Sequence, residues 1–438
     1  MVPKVSVVMA VYNAAPYLEQ SLESILNQSL YEIEVICVDD GSTDNSLELL
    51  ESFAEKDTRI KVISQTNQTA GAARNRGIEI ASGEYLSILD VDDFFEKDML
   101  KNCYEKAERA DADVVVYRSD RFDMNKQQFT ESNWTIKREY LPEKEVFSHR
   151  DMSNIFYCFI GWAWDKLFRR SFIVENGITF QQQRSINDLA FVFCALSKAE
   201  RITVINEIFA HKRHNTENAI TTNYHKSGDW HCFYQALMAL KQRLEMWQIY
   251  DELRIDFVNY ALYFSFWNLK KFEGIRDFNV FYETLKNQWL RELDILNKGE
   301  EFFFDKEDYL KLTQLLNMDA KQYLYYQSLT GKDGTYLFPF EAVEKGAKIV
   351  LYGAGNVGQA FYRQIVFSSF CHIVAWVDCN YMDKGEWVSN PTAIFEECFD
   401  YLVVAINDSF NAEKIIHNLV QQGVMRNKII WRKPEVCI

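Results

Sequence analysis

The sequence predicts an α/β architecture in parts: a strand–helix domain at the N-terminus, a helical middle region and a smaller α/β domain at the C-terminus. Three observations predict it. Strand and helix signals alternate through the first hundred residues, aromatic residues recur at helical spacing from about 230 to 335, and a separate βαβ pattern starts near residue 347. At 438 residues the chain has room for two or three domains. Hydrophobic residues make up 48% and aromatics 15%, enough to build real cores and unlike a disordered chain.

In chain order, "KVSVVMAVY" is a β-rich run and "APYLEQSLESILNQ" carries apolar residues at helical period. "EIEVICVDD" is a second strand ending in the turn "DDGSTDNS", whose Ser and Asp residues can cap the helix "SLELLESFAEK". "RIKVISQ" is a third strand, "AGAARNRGIEIA" a third helix and "EYLSILD" a fourth strand. Such alternation predicts a parallel sheet with helices on both faces, and ligands bind such sheets beyond the carboxyl ends of the strands.

From about 111 to 225 the pattern turns α+β. "ADVVVYRSD" reads as a strand, "GWAWDKLFRRSFI" as an aromatic-rich segment with a short helix, and "INDLAFVFCALSKA" as a helix. "RITVINEIFAHKRH" reads as a strand running into a basic loop. The helical middle contains "WHCFYQALMALKQRLEMW", "DFVNYALYFSFWNLKKF" and "FNVFYETLKNQWLRELDIL", whose aromatics are core or an exposed membrane or partner face. The expected domains are 1–225, 226–340 and 345–438.

A formal net charge of −15 argues against a nucleic-acid binder, which needs clustered Lys and Arg. The nine cysteines form no CxxC pair and no metal-ligand spacing, as expected of small buried residues in a reducing cytosol. The N-terminal apolar run is too short for a signal peptide, and no later apolar stretch reaches the length of a membrane span. These features predict a soluble cytoplasmic protein.

Polar residues collect at the predicted strand ends. Tyr12 and Asn13 follow the first strand, Asp39 and Asp40 the second, and Asp90 and Asp92 the fourth. A turn-capping role explains any one of them, but not all of them together on one rim. In "ILDVDDFF" three carboxylates stand directly behind a buried run, which costs free energy unless something cationic compensates. An Asp-x-Asp pair on such a turn can hold Mg²⁺ or Mn²⁺ bridging a diphosphate.

Residues 4 to about 225 resemble the family 2 glycosyltransferases of GT-A fold, inverting nucleotide-sugar enzymes of polysaccharide synthesis. The motifs that carry the resemblance run in the family's order: "VSVVMAVYNAAPYLEQSLESILNQ", "EVICVDDGSTDNS", "GAARNRGIEIASGEYLSILDVDD", "WDKLFRRSFI" and "NDLAFVFCAL". The resemblance implies a Rossmann-like mixed sheet that binds a nucleotide-sugar, most often UDP-linked. It implies that Tyr12 and Asn13 border the nucleotide, with Tyr12 stacking on the base. Asp39 and Asp40 belong to the same site, Asp40 accepting from a base N–H. Arg74 lies near the nucleotide, Asp90 binds ribose and Asp92 is the direct metal ligand, while Asp93 is expected to cap the following helix. Asp188 is the implied general base, although a residue there can also simply occupy a helix's first turn. Arg213 would approach the diphosphate, with His211 or His214 either solvated or a metal ligand. Trp164 and Lys166 match an acceptor-side motif, and Trp164 reads equally as a core residue. Four positions depart from the family pattern: Ala10 for Pro, Thr69 for Gly, Asp165 for Asn and Asn187 for Glu.

The C-terminal "GAGNVG" places Gly353, Gly355 and Gly358 between a strand and a helix, and Asp378 ends the next strand, the pattern of a Rossmann-like turn. The span is about half a dinucleotide-binding domain, so it reads as a possible nucleotide site or as an assembly module. The expected activity is metal-assisted single displacement from a nucleotide-sugar to a glycan or lipid-linked acceptor in bacterial surface polysaccharide synthesis. Peripheral contact with the cell membrane and a homo-oligomer are compatible with it. The alternatives are a non-catalytic nucleotide-sugar sensor or assembly scaffold, and a nucleotidyltransferase. The latter would carry a Gly-rich basic loop where this chain has "YNAAPYL".

Overall fold

The computed structural model describes residues 2–132, 134–214, 229–272, 277–320, 322–324, 335–384, 387–434 and 436–437. It divides into two units, one of residues 1–265 with 291–304 and the other of residues 266–290 with 305–438. The helical region expected over 226–340 thus contributes to both.

In the first unit, β1 (Val5–Val11), β2 (Ile33–Asp39), β3 (Ile60–Ser64) and β4 (Tyr85–Asp90) pair in parallel in the order β3-β2-β1-β4. Every residue of β2 is buried, as the unbroken apolar run "IEVICVD" requires of a strand covered on both faces. Helices α1 (Ala15–Leu26), α2 (Ser46–Lys56) and α3 (Ala70–Ile80) alternate with these strands. The expected capping of α2 takes another form: its start at Asn45 has no side-chain cap, and Asp44 instead accepts the N–H of Ser46 at 3.0 Å and of Ala15 at 3.2 Å, tying the turn to α1.

The sheet then continues with strands of both directions, so it is mixed. Beyond β4 the order is β8-β6-β9-β5, formed by β5 (Phe94–Phe95), β6 (Val114–Asp123), β8 (Lys166–Arg169) and β9 (Ile202–His214), with β7 (Gln128–Glu131) on β6. β8 is antiparallel to both β4 and β6, whereas β6 and β9 are parallel. The basic residues His211, Lys212 and Arg213 belong to β9 and not to a loop; residues 215–221 of that expected loop lie outside the described residues. Helices α4 (Met99–Ala110), α5 (Ile155–Cys158), α6 (Arg170–Glu175) and α7 (Leu189–Lys198) complete this part, and α7 packs on the helix Cys232–Met246.

In the second unit, β11 (Lys348–Tyr352), β12 (His372–Val377), β13 (Val388–Ser389), β14 (Tyr401–Val404) and β15 (Ile429–Ile430) form a parallel sheet in the order β13-β12-β11-β14-β15. A short pair, β10 (Thr335–Tyr336) with β16 (Val436–Cys437), stands apart from it. Alternation along β11 splits the core. Ile349 and Leu351 pack with Val357, Phe361 and Ile365 on one face, while Val350 and Tyr352 pack with Ala412, Ile416 and Leu419 on the other. Among the described residues no helix is long and apolar enough to cross a membrane.

Candidate active site

Strand β4 delivers Asp90 at its last position, and the chain turns through Val91, Asp92 and Asp93 into β5. Oxygens of Asp90, Asp92 and Asp93 come within 4.8 Å of one another. Asp93 does not cap the following helix, whose start lies at Asp98. It is fully buried, and Oδ1 accepts the backbone N–H of Arg213 at 3.0 Å, while Oδ2 has no partner. Burial pushes the Asp93 carboxyl well above the usual carboxylate range, and burial followed by the Asp90 charge raises the Asp92 carboxyl. Three hard oxygen donors, one with an orphaned buried oxygen, fit a divalent cation of the Mg²⁺ or Mn²⁺ type.

Beneath this turn, β9 supplies the cations. Arg213 is 4% exposed and immobilised: its guanidinium donates to the carbonyl of Asp92 and to Oε1 of Gln20, and lies between the rings of Tyr17 and Phe94 at 5.5 and 5.1 Å. His211 is neither solvated nor free to bind a metal. Nδ1 meets Asp120 at 2.7 Å and Nε2 meets Glu96 at 3.0 Å.

Arg74 joins this acidic turn to a second segment. One guanidinium nitrogen donates to Asp90 at 2.6 Å and another to Oδ1 of Asn187 at 2.6 Å, with the group over the Phe180 ring at 5.2 Å. Segment 180–187 reaches α3 because residue 71 is glycine. A Cβ there would stand 2.0 Å from the carbonyl oxygen of Gln181. Asp188 follows at the start of α7, where its side chain makes no capping hydrogen bond. Burial raises the Asp188 carboxyl above its usual range, Arg74 opposes this, and Asp90 adds to it. Asp188 therefore sits within electrostatic reach of the Arg74–Asp90 pair.

The remaining rim residues lie along β1 and β2. Tyr12 is 50% exposed, a ring left open to solvent. Asn13, at φ 48°, accepts the Thr43 N–H at 2.7 Å and holds the turn after β2. Asp39 accepts from the Ser42 N–H and the Ser64 hydroxyl, both at 3.2 Å. Asp40 accepts from Gln65 Nε2 at 2.8 Å and from the N–H groups of Gln68 and Thr69 at 2.9 Å, so its carboxylate shapes the 65–69 loop.

The acceptor-side pair lies deeper than the motif suggests. Lys166 is 0% exposed, donating to the carbonyls of Ile160 at 3.0 Å and Trp162 at 2.8 Å and to the Asp165 carboxylate. Trp164 is 2% exposed. The ring nearer solvent is Trp162, which stacks on Trp164 at 5.0 Å and meets Trp134 edge-on at 5.2 Å. Sequence reasoning passed over Trp162 and also Lys212, which faces the carboxylates from β9. The signal for Lys212 was its place beside Arg213 in the basic run His211–Lys212–Arg213.

In the second unit, Gly353 has φ 106°, and a Cβ on Gly358 would stand 1.9 Å from the Gly353 carbonyl, so both glycines are required by the local packing. A Cβ on Gly355 would meet nothing within 4 Å. Asp378 turns inward: Oδ2 accepts the Ala354 N–H at 2.7 Å and Oδ1 the Asn380 N–H at 2.8 Å.

Comparison with known proteins agrees with this geometry. Residues 6–174 match the family described as Glycosyl transferase family 2. The uncharacterized glycosyltransferase EpsJ of Bacillus subtilis is 32% identical over 247 residues, covering 55% of this chain and 70% of the relative. The cholesterol galactosyltransferase of Borreliella burgdorferi is 29% identical over 320 residues, covering 70% of this chain and 87% of the relative. Among solved structures, S. aureus TarS 1-349 in complex with UDP-GlcNAc superposes with a TM-score of 0.58 at 21% identity, over 73% of this chain and 89% of that one. The mixed sheet with its acidic turn is thus a GT-A fold, and the chain belongs to the family 2 glycosyltransferases.

Proposed function

We propose that this glycosyltransferase moves a hexosyl or N-acetylhexosaminyl group from a UDP-linked donor to a glycan or lipid-linked acceptor, in one displacement with inversion. The observation that carries the reading is the Arg74 bridge. It bonds both Asp90 of the acidic turn and Asn187, the neighbour of Asp188, which supports a donor-side and an acceptor-side carboxylate acting at one site. The UDP preference draws on the fold shared with TarS, whose structure holds UDP-GlcNAc. The relative named as a cholesterol galactosyltransferase supports an acceptor carried on a lipid.

In this reading Tyr12 stacks on the base, and Asn13, Asp39 and Asp40 shape its pocket. Arg74 and Asp90 flank the ribose, and Asp92, with Asp90 and Asp93 beside it, holds Mg²⁺ or Mn²⁺. When bound, the cation would supply Lewis-acid stabilisation of charge on the leaving diphosphate. Asp188 takes the proton from the acceptor hydroxyl as that oxygen bonds to the anomeric carbon. The bond from that carbon to the phosphate oxygen breaks, and the nucleoside diphosphate leaves with the electron pair. A carboxyl raised by burial is the better base for this step. Trp164 and Lys166 act through the loop they hold. The catalytic part is taken as residues 1–225, with 226–340 supporting it and 345–438 as an assembly module or, through Gly353, Gly355, Gly358 and Asp378, a nucleotide site. The enzyme would work in the cytoplasm, peripheral to the membrane that carries its acceptor.

The test is nucleotide release from a panel of UDP-, GDP- and dTDP-sugars, with and without Mn²⁺, in the wild type and in Asp92→Ala. The expected result is Mn²⁺-dependent release from a UDP-sugar, lost in Asp92→Ala with unchanged melting temperature. Release from no donor would favour the non-catalytic sensor, and metal-independent release in Asp92→Ala would remove that residue as ligand.

A further inference from the structure

Lys212 is the one cation of the cleft whose charge serves no structural bond among the described residues. Arg213 is spent on Asp92, Gln20 and two rings, and Arg74 on Asp90 and Asn187. The Lys212 ammonium rests over the indoles of Trp162 at 5.0 Å and Trp164 at 5.5 Å, and no described residue gives it a hydrogen bond or a direct ion pair. The indole faces hold the charge by cation–π attraction, short of collapse onto the carboxylates.

Four carboxylates surround it electrostatically: Asp93, Asp92, Asp90 and Asp188. Burial pulls the lysine pKa down, but these four charges outweigh burial and hold it above the ordinary value. The ammonium is therefore charged, and it stands on the stretch of β9 that meets the acidic turn, where the N–H of the next residue, Arg213, donates to Asp93 Oδ1 at 3.0 Å.

We propose that Lys212 binds the diphosphate of the nucleotide donor, and that in the empty site it serves as the counter-ion of the acidic turn. This inference rests on the proposed donor site and assigns to Lys212 the contact that the family pattern assigns to Arg213. Three donors on a compact ammonium suit a phosphate oxygen. Removal of the charge should have opposite effects on the two ligands of the cleft. A diphosphate loses an attractive partner, whereas a divalent cation at Asp90, Asp92 and Asp93 loses a competitor.

The test is calorimetric titration of wild type, Lys212→Met and Lys212→Arg with UDP, uridine and Mn²⁺ separately. Lys212→Met should weaken UDP about tenfold in the absence of metal, about 1.4 kcal/mol. It should leave uridine unchanged and tighten Mn²⁺, and Lys212→Arg should restore UDP binding. Equal UDP affinity in wild type and Lys212→Met, or an equal loss for UDP and uridine, overturns the inference while the donor site stands. If the wild type binds neither UDP nor uridine, the donor-site reading fails and this one falls with it. Melting curves of the same samples identify a variant that has merely unfolded.

Discussion

Asp188→Asn separates a base from a helix-start residue, because the substitution keeps size and shape and removes only basicity and charge. The structure bounds both costs. The Asp188 side chain caps no N–H of α7, so the substitution removes no helix hydrogen bond. The carboxylate also stands near Asp90, so neutralising it relieves repulsion. Affinity for an anionic donor should therefore hold or rise. Transfer to the acceptor should fall by roughly 10²–10⁴-fold, the usual scale of general-base catalysis. That corresponds to about 2.7–5.4 kcal/mol of transition-state stabilisation. Donor affinity is measured by calorimetry with Mn²⁺, transfer by following sugar into product, and folding by thermal melting. Transfer near the wild-type rate, with folding and donor binding intact, would refute the assignment and move the search to other carboxylates near the acceptor.

Two further outcomes follow from buried charges. Lys166→Met should cost about 3–5 kcal/mol in denaturant unfolding, because it strands the Asp165 carboxylate, already raised to about 6 chiefly by burial, beside two unpaired carbonyls; a change confined to acceptor KM with full stability would instead place Lys166 in contact with the acceptor. His211 is pulled down by burial, but its bonds to Asp120 and Glu96 outweigh this and raise it above its ordinary value of 6.5. The native state therefore binds that proton more tightly than the unfolded chain, so the stabilisation is complete below pH 6.5 and fades as pH rises through the raised value. Melting curves across that range should show the decline in the wild type and a flattened profile in His211→Gln; an identical decline in the mutant would assign it to other groups.

The strands and helices around the cleft were legible because their signals are local. "IEVICVD" has one environment open to it, a strand buried on both faces, and "AGAARNRGIEI" carries the glycine that lets the Gln181 backbone approach α3. The reversed direction of β8 was not legible from periodicity, since a short strand such as "KLFR" reads the same in either direction. Residue roles divided in the same way. Asp90 and Asp92 were placed together by their own spacing. The partners of Asp93, His211 and Lys166 lie far along the chain or are backbone carbonyls, which no motif displays. Lys166 shows the limit most clearly: a lysine beside a tryptophan at a strand start reads as a binding pair, and only burial reveals it as the anchor of the 160–165 turn.

How a chain of net charge −15 can hold a diphosphate becomes a local question once the cleft is counted. Among the described residues four carboxylates (Asp90, Asp92, Asp93 and Asp188) share it with three cations (Arg74, Lys212 and Arg213), so with all of these ionised they sum to one negative charge. Arg213 and Arg74 are engaged with the Asp92 carbonyl, Gln20, Asp90 and Asn187. Among the described residues the reserve of positive charge is therefore Lys212, and it does not match the two negative charges of a diphosphate bridge. On the proposed reading, a divalent cation held by the acidic turn would supply two positive charges and bring the sum to plus one. Lys212 would then be free of its counter-ion role and available to the phosphate. The acidic turn and the lysine work as opposed halves of one device: carboxylates dense enough to demand a cation, and an ammonium held off them by two indoles so that the demand is never fully met from within the chain.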